Sequence, residues 1–329
     1  MSSPQLLIIV VNFRTPALTL DCLSSLAYEL GSVDRFRVVV VDNGSADNSS
    51  KTIRERIERE QWGNWCSLLE LDRNLGFAGG NNAGIEWAWE RDTATNQSRA
   101  PFVLLLNSDT VVHTGCLREC VATMNSSPQI GAMSCKLLNA DGTLQIVSRK
   151  YMSPTRLVIG AIGLPWKLPR VFGWAQLEYL KWDMNVDSGY PEWIGGAFMM
   201  LRTEAMDRVG LLDEDFFFYG EDAEYCFRLR KAGWNILYDP TTTTTHLGGA
   251  SSDPTRLMTE ARSRAVWRSR YLFLRKCYGG WAVWIVRGVD IVMVSAKRMW
   301  LVLTRRTNSV RGQQLRLTHQ TILGRYGPL

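Results

Sequence analysis

Residues 36–45 read FRVVVVDNGS, a β-branched run that stops at Asp42 and turns through Asn43-Gly44-Ser45. A strand with no polar alternation is buried on both faces, as in parallel sheets covered by helices. The same pattern recurs on either side of it. LLIIVVNF (6–13) closes near Asn12, CSLLEL (66–71) leads to Arg73-Asn74, and PFVLLLN (101–107) runs straight into Ser108-Asp109. Helices are predicted from Pro16 to about Leu30, from a cap at Asp47 or Asn48 to about Glu60, and over 80–91. NLGFAGGNNAG (74–84) reads as a loop. The βαβαβαβ alternation predicts an α/β fold with an open, mainly parallel, twisted sheet flanked by helices.

Beyond residue 150 the alternation lapses. Residues 151–190, rich in Trp, Gly and Pro, read as an excursion over a binding site. Glu192–Leu201 reads as a strand, Thr203–Val209 as a short helix, Glu221–Ala232 as an amphipathic helix, and TTTTT (241–245) as extended chain. The expected organisation is a body over 1–253, with a nucleotide-binding half (1–110) and a catalytic and acceptor half (111–253). A helical extension follows over 254–329.

The charge divides the same way. The chain has 329 residues and a net charge of +6, but residues 254–329 hold 15 Lys and Arg against Glu260 and Asp290. That quarter is therefore +13 and the body −7. Apolar residues at 46% and charged residues at 21% exclude overall disorder. Seven scattered cysteines without a CxxC pair read as reduced, buried thiols, which suits a cytoplasmic protein. MSSPQLLIIVVNF lacks the basic start of a secretory signal. The apolar stretch 277–304 is broken by Arg287, Asp290, Lys297 and Arg298, so no transmembrane helix is expected.

In open α/β sheets ligands bind outside the carboxyl ends of the strands. Asn12, Asp42-Asn43-Gly44-Ser45, Arg73-Asn74 and Asn107-Ser108-Asp109 all fall there. Four polar strand ends on one rim point to a nucleotide-sized ligand. No glycine follows the first strand and no GxxxxGK[ST] is present, so the dinucleotide and P-loop schemes are excluded. Asp109, at the end of a buried strand, either holds a hard divalent cation or caps the helix expected over 114–124. His246, after the threonines and before Gly248-Gly249, is structural unless it meets Asp109 in space. Glu221-Asp222 follow DEDFFFYG (213–220); acids there either cap a helix or, desolvated by the aromatics, supply a general base. Successive residues at a helix start point apart, so one acid is expected in the site and one in support.

Taken in order, VVNF (10–13), CLSSL (22–26), VVVVDNGSAD (38–47), RNLGFAGGNNAGI (73–85), LLLNSDT (104–110), 193–234 and HLGGASS (246–252) resemble family 2 glycosyltransferases of the GT-A fold, in their rhamnosyltransferase-type branch. The likeness covers residues 6 to about 252. It implies that Asp42, with Asn12, contacts the nucleotide base, with Arg73 beside it, and that Asn43, Asn74, Gly76, Gly80 and Asn107 shape the nucleotide-sugar site. Asp109 would then hold Mg²⁺ or Mn²⁺, with His246 completing metal or diphosphate binding. Trp193, Gly195 and Gly196 would line the sugar and acceptor region. Asp222 would be the catalytic base of an inverting transfer, supported by Glu221. Asn107 replaces the first acid of the family's DxD motif and Ser108 a common proline, so loose metal affinity is expected. The implied donor is a nucleotide sugar, with L-rhamnose from dTDP-L-rhamnose first choice and UDP- or GDP-sugars the alternatives. The implied acceptor is a saccharide on polyprenyl diphosphate.

For 254–329 two readings stand: an anionic membrane surface on the cytoplasmic face, met by basic residues and Trp281, Trp284 and Trp300, or a hairpin packed on the body or on a second subunit of a homodimer. A non-catalytic binding module would have no use for Asp109, Asp222 and His246 together. Nucleic acid is disfavoured by the acidic body and the lack of any recognition motif.

Overall fold

The computed structural model describes residues 4–31, 36–179, 181–248, 260–304 and 310–323. In chain order its elements are β1 (Leu6–Asn12), α1 (Pro16–Tyr28), β2 (Phe36–Asp42), α2 (Ser49–Arg59), β3 (Cys66–Glu70), α3 (Gly76–Ala94), β4 (Phe102–Asn107) and β5 (Thr110–Val112). Next come α4 (Cys116–Ser126), β6 (Ile130–Leu138), β7 (Leu144–Gln145), β8 (Ser148–Arg149), α5 (Pro154–Ala161), α6 (Leu164–Lys167) and α7 (Pro169–Phe172). The rest are β9 (Trp193–Ile194), β10 (Phe198–Arg202), α8 (Thr203–Val209), α9 (Glu221–Lys231), β11 (Asn235–His246), α10 (Glu260–Tyr278), α11 (Gly280–Leu303) and α12 (Val310–Leu323). The chain divides into two compact units. One comprises Met1–Arg149, Leu180–Phe217 and Glu221–Ser251; the other comprises Lys150–Tyr179, Phe218–Gly220 and Ser252–Leu329.

The first unit is built on a mixed, largely parallel sheet in the order β3-β2-β1-β4-β10-β6-β11-β5, with β7 paired to β6. β3, β2, β1 and β4 are parallel; β10 enters antiparallel between β4 and β6. The chain leaves β1 in one direction to build β2 and β3, then returns to place β4 on the other side. That reversal falls at the carboxyl ends of β1 and β4, where open α/β sheets bind their ligands. Asn12 pairs in register with Asp42, and Val11 with Asn107, so the polar strand ends share one rim. Leu6–Val10, Val38–Val41, Val103–Leu106 and Phe198–Leu201 are fully buried, as two-sided strands must be.

Several elements depart from the sequence reading. The glycine segment is no loop: α3 begins at Gly76. Asn43 Oδ1 accepts from Leu75 N and Asn74 Oδ1 from Gly76 N, ordering the helix start. The glycines serve close packing instead. A Cβ on Gly84 would stand 2.8 Å from Val41 Cγ2 and 2.9 Å from Ile9 Cγ2, so α3 lies tight on β1 and β2. Residues 192–201 break at Gly195-Gly196, sending β9 to a two-stranded sheet with β8 and β10 to the main sheet. Asp109 caps no helix, because β5 follows it. The start of α4 is met by Glu29, whose carboxylate accepts from Gly115 N (2.6 Å) and Leu117 N (3.2 Å), a favourable charge at a helix N-terminus.

The second unit joins α5–α7 to α10–α12. Leu157 of α5 packs with Tyr271, Leu274, Ala282, Val283 and Val286 of α10 and α11. Residues 150–179 therefore share a core with the C-terminal helices, and the reading of 151–190 as one excursion gives way to a division near residue 180. Asp290, one of the charges that breaks the apolar stretch, is buried and accepts from Arg270 (3.0 Å) and from Tyr271 OH (3.1 Å). Among the described residues no helix is long and apolar enough to cross a membrane.

Candidate active site

The site is built from three groups on the first unit's rim. In the first, the Asn12 amide donates to Asp42 Oδ1 (2.6 Å) while its carbonyl accepts from Thr19 Oγ1 (2.8 Å). Ser45 Oγ also donates to Asp42 Oδ1 (2.5 Å) and itself accepts from Arg14 N. Asn12, Asp42 and Asn43 are buried, so these bonds fix a carboxylate at the end of β2. The Asn43 amide donates to Asn74 Oδ1 (3.1 Å) and Gly76 O (2.9 Å), tying this turn to the start of α3. Gly44, at φ +65°, lets the Arg73 backbone approach more closely than any Cβ would permit; the Arg73 side chain is exposed. Gly80 packs against Asn43 and Val11.

The second group gathers at the far end of β4. His246 pairs in register with Thr110 across β11 and β5. Its Nε2 lies 3.1 Å from Asp109 Oδ1 and 3.2 Å from Asn107 Nδ2, while Nδ1 meets Gln145 Oε1 at 2.7 Å. With Nδ1–H donating to Gln145, Nε2 accepts from the Asn107 amide and lies beside the Asp109 carboxylate. A carboxylate oxygen and an imidazole nitrogen side by side are donor types that a divalent cation takes. Gly248 completes the cradle, since a Cβ there would run into the Asp109 carboxylate. Among the described residues no three His, Cys, Asp or Glu side chains converge as a metal cage. The Asp109–His246 pair thus fits a cation whose remaining ligands are oxygens of a bound anion and water. Gly249 to Ser252 of the HLGGASS stretch lie outside the described residues.

The third group is the acid pair at the start of α9. Asp222 Oδ2 accepts from Gly196 N (3.2 Å) and Oδ1 from Ala223 N (2.8 Å). Burial raises its pKa above the usual carboxylate value; the backbone N–H donors and the charge of Arg149 work the other way. Glu221 is buried more deeply, with Oε2 unpartnered, and burial followed by the Asp222 charge pushes it up to about 8. The two acids therefore differ in setting, Asp222 partly buried and held by backbone donors and Glu221 buried. Of the four aromatics before them only Phe216 is fully buried, while Phe217 and Phe218 are about half exposed. The segment is positioned from α3: Asn82 bonds Leu212 O, Leu212 N and Glu214, and Phe77 N donates to Phe217 O. Gly76, at φ +76°, lies so close to Phe217 O that no Cβ fits.

One turn joins the second and third groups. Gly195 N donates to Val147 O, Gly196 N to Asp222, and Ala197 O accepts from Asn107 N at 3.0 Å. Hydrogen bonds thus connect Asp222 through the 196–197 turn to Asn107 and His246, with Asp109 beside the imidazole, although these residues span 140 positions of the sequence. Trp193, half-buried, pairs across β9 and β8 with Arg149. Gln145, Arg149, Asn82 and Phe77 escaped the sequence reading; the polar residue between two apolar neighbours at 145 was the one local signal.

A strand-order reversal with a buried carboxylate at one strand end, an Asp–His pair at another, and a desolvated acid tied to that strand through the 196–197 turn, is the scaffold of a nucleotide-diphospho-sugar transferase of the GT-A type. Consistent with that, residues 4–268 match the model of "Glycosyltransferase like family 2", and the chain belongs to that family. The low-salt glycan biosynthesis hexosyltransferase Agl10 of Haloferax volcanii is 30% identical over 237 residues, covering 70% of this chain and 64% of that one. An N-acetylglucosaminyl-diphospho-decaprenol L-rhamnosyltransferase of Mycobacterium tuberculosis is 26% identical over 258 residues, 76% of this chain and 80% of its own. Among solved structures, a mannosyltransferase of Pyrobaculum calidifontis in complex with GDP-Man and Mn²⁺ superposes with a TM-score of 0.53 at 14% identity, covering 98% of this chain and 86% of that one. At that identity the likeness carries the GT-A fold.

Proposed function

We propose that this chain transfers a sugar from a nucleotide donor to a saccharide acceptor with inversion, the donor being dTDP-L-rhamnose and the acceptor a polyprenyl-diphosphate-linked sugar. The supporting observation is the hydrogen-bonded line from Asp222 through Gly196 and Ala197 to Asn107, which puts a raised-pKa carboxylate beside the Asp109–His246 pair. The rhamnosyltransferase relative, whose name carries a lipid-linked acceptor, supports the choice of sugar and acceptor.

In this reading Asn12, Asp42 and Asn43 hold the nucleoside, with Arg73 above it. Asn74, Gly76, Gly80 and Asn107 border the ribose and phosphates. Asp109 and His246 would hold a divalent cation, Mg²⁺ or Mn²⁺, which offsets the charge of the departing nucleotide diphosphate when bound. Trp193, Gly195 and Gly196 border the sugar and acceptor. Asp222 takes the proton of the attacking hydroxyl, which reaches the anomeric carbon opposite the leaving group. The backbone bonds from Gly196 and Ala223 fix its orientation. Glu221, protonated at neutral pH, adds no second charge that would oppose ionisation of Asp222. The second unit attaches the enzyme peripherally to the cytoplasmic face of a membrane, where the acceptor resides.

A donor screen tests this reading. Nucleotide release from dTDP-rhamnose, UDP-sugars and GDP-sugars is followed with a lipid-linked acceptor under Mg²⁺, Mn²⁺ or EDTA. Metal-dependent release from dTDP-rhamnose alone is the expected result. Release from a UDP- or GDP-sugar instead would replace the donor, and release unaffected by EDTA would remove the cation from Asp109 and His246.

A further inference from the structure

We infer that residues 162–174 form a membrane wedge, an apolar and cationic tip of the second unit that enters the headgroup layer of an anionic bilayer. The inference rests on the peripheral-membrane reading above and adds to it an element outside the basic C-terminal quarter. Its root is fixed, because Leu157 of α5 is buried against α10 and α11. Past α5 the chain makes α6, α7 and a 3₁₀ turn at Gly173–Ala175. Backbone bonds close these turns: Lys167 N to Gly163 O, Leu168 N to Leu164 O, and Phe172 N to Leu168 O. The buried Gln176 amide donates to Pro165 O at 3.1 Å and clamps the two ends of the segment together.

This built shape turns its large side chains outward. Trp166 is 72% exposed, Val171 61%, Leu168 51% and Trp174 50%. All six residues of WKLPRV (166–171) are exposed. Four such side chains in nine residues exceed the scattered apolar surface of an ordinary soluble face. Their chemistry selects the occupant. Lys167 and Arg170 alternate with the apolar residues and have no ion-pair partner among the described residues. Interfacial elements place basic heads among phosphates in this way while indoles and aliphatic groups sit at the acyl boundary. Residues 150–179 carry four basic residues against Glu178, and residues 254–329 of the same unit are +13. Such a charge repels a second copy of the same face and attracts anionic lipid.

The test uses the full chain and its triple variant Trp166→Ser, Leu168→Ser, Val171→Ser. Each is sedimented with phosphatidylcholine vesicles with and without phosphatidylglycerol, and each is run by sedimentation velocity without lipid. Circular dichroism and donor turnover in lipid-free buffer check that the variant is folded. A second probe is Leu168→Cys with Cys277→Ser, labelled with an environment-sensitive dye, the other thiols being buried. The wedge requires that the parent bind the anionic vesicles, that the triple variant bind them at least about tenfold more weakly, and that the dye shift to the blue on vesicle addition. Parent binding with an equally tight triple variant and an unmoved dye overturns the wedge but leaves the peripheral reading standing. No binding by the parent overturns both. A parent dimer that the triple variant converts to monomer assigns this face to a second copy and overturns the lipid.

Discussion

Asp222 and Glu221 are adjacent in sequence and opposite in circumstance. Asp222 keeps two backbone donors and is only partly buried, whereas Glu221 is buried and has an oxygen with no partner. Asp222→Asn should lower kcat by about 10²–10⁴-fold with donor affinity kept, as measured by turnover and by nucleotide-sugar titration. Because burial raises the Asp222 pKa, the acid limb of kcat/KM should lie above the ordinary carboxylate range. Glu221 has its consequence in stability. Between its unfolded value and about 8 the folded state binds the extra proton, so stability falls as pH rises through that window, by up to about 1.4 kcal/mol per unit. Glu221→Gln should flatten the decline in urea unfolding measured from pH 5 to 8, both values being chosen to span roughly that window. Gln145 is anchored by its amide, which donates to Asn139 Oδ1, and presents its oxygen to His246 Nδ1. Gln145→Leu frees the imidazole to take the other tautomer, and the Mn²⁺ concentration for half-maximal turnover should rise about 10–100-fold. Gln145→Glu should restore much of it, since an acceptor for Nδ1–H is again present.

At the scale of elements, α3 decides how the rim is held. Its glycines let it lie against β1 and β2, and its first turns carry the backbone that positions 212–217. Gly84→Ala should destabilise the protein by about 1–3 kcal/mol, read as a lowered Tm, because branched side chains of two strands must yield to a methyl group. The strands themselves were legible from sequence, since a β-branched run with a polar terminus admits few other structures. Thr203–Val209 was also legible end to end. The helix start at Gly76 was not, because local propensity argues against glycine in a helix; its reasons are distant, Phe217 against Gly76, the Asn43 bond to Leu75 N, and Ile9 and Val41 against Gly84. The break at Gly195-Gly196 had a visible glycine pair, but its purpose depends on Asp222, 26 positions away. Gln145 lay hidden for a related reason: a two-residue strand leaves no periodicity to read.

The whole molecule is two units of opposite formal charge tendency, an acidic catalytic sheet and a basic helical body. Attachment of the second to anionic vesicles should therefore weaken steeply as ionic strength passes about 0.15 M, where the screening length is near 8 Å. A residue of apolar attachment from 162–174 should survive salt, which vesicle sedimentation across a salt series would separate. The second unit has a core of its own, edged by a buried charge. Asp290→Ala leaves Arg270 and Tyr271 without their shared acceptor and should cost up to about 3 kcal/mol, read as a lowered Tm.

For anyone redesigning this scaffold, the turn at 195–197 divides the positions worth randomising from those that are not. Gly196 and Ala197 commit their backbone groups to opposite halves of the chemistry, one to Asp222 and one to Asn107. A substitution that moves the backbone there shifts Asp222 and Asn107 together, which in the proposed reading couples sugar choice to the proton acceptor. The Phe77 ring lies against Gly196 without a backbone bond to the turn, so in the proposed reading it is the position at which to vary the acceptor while the backbone of the turn is kept.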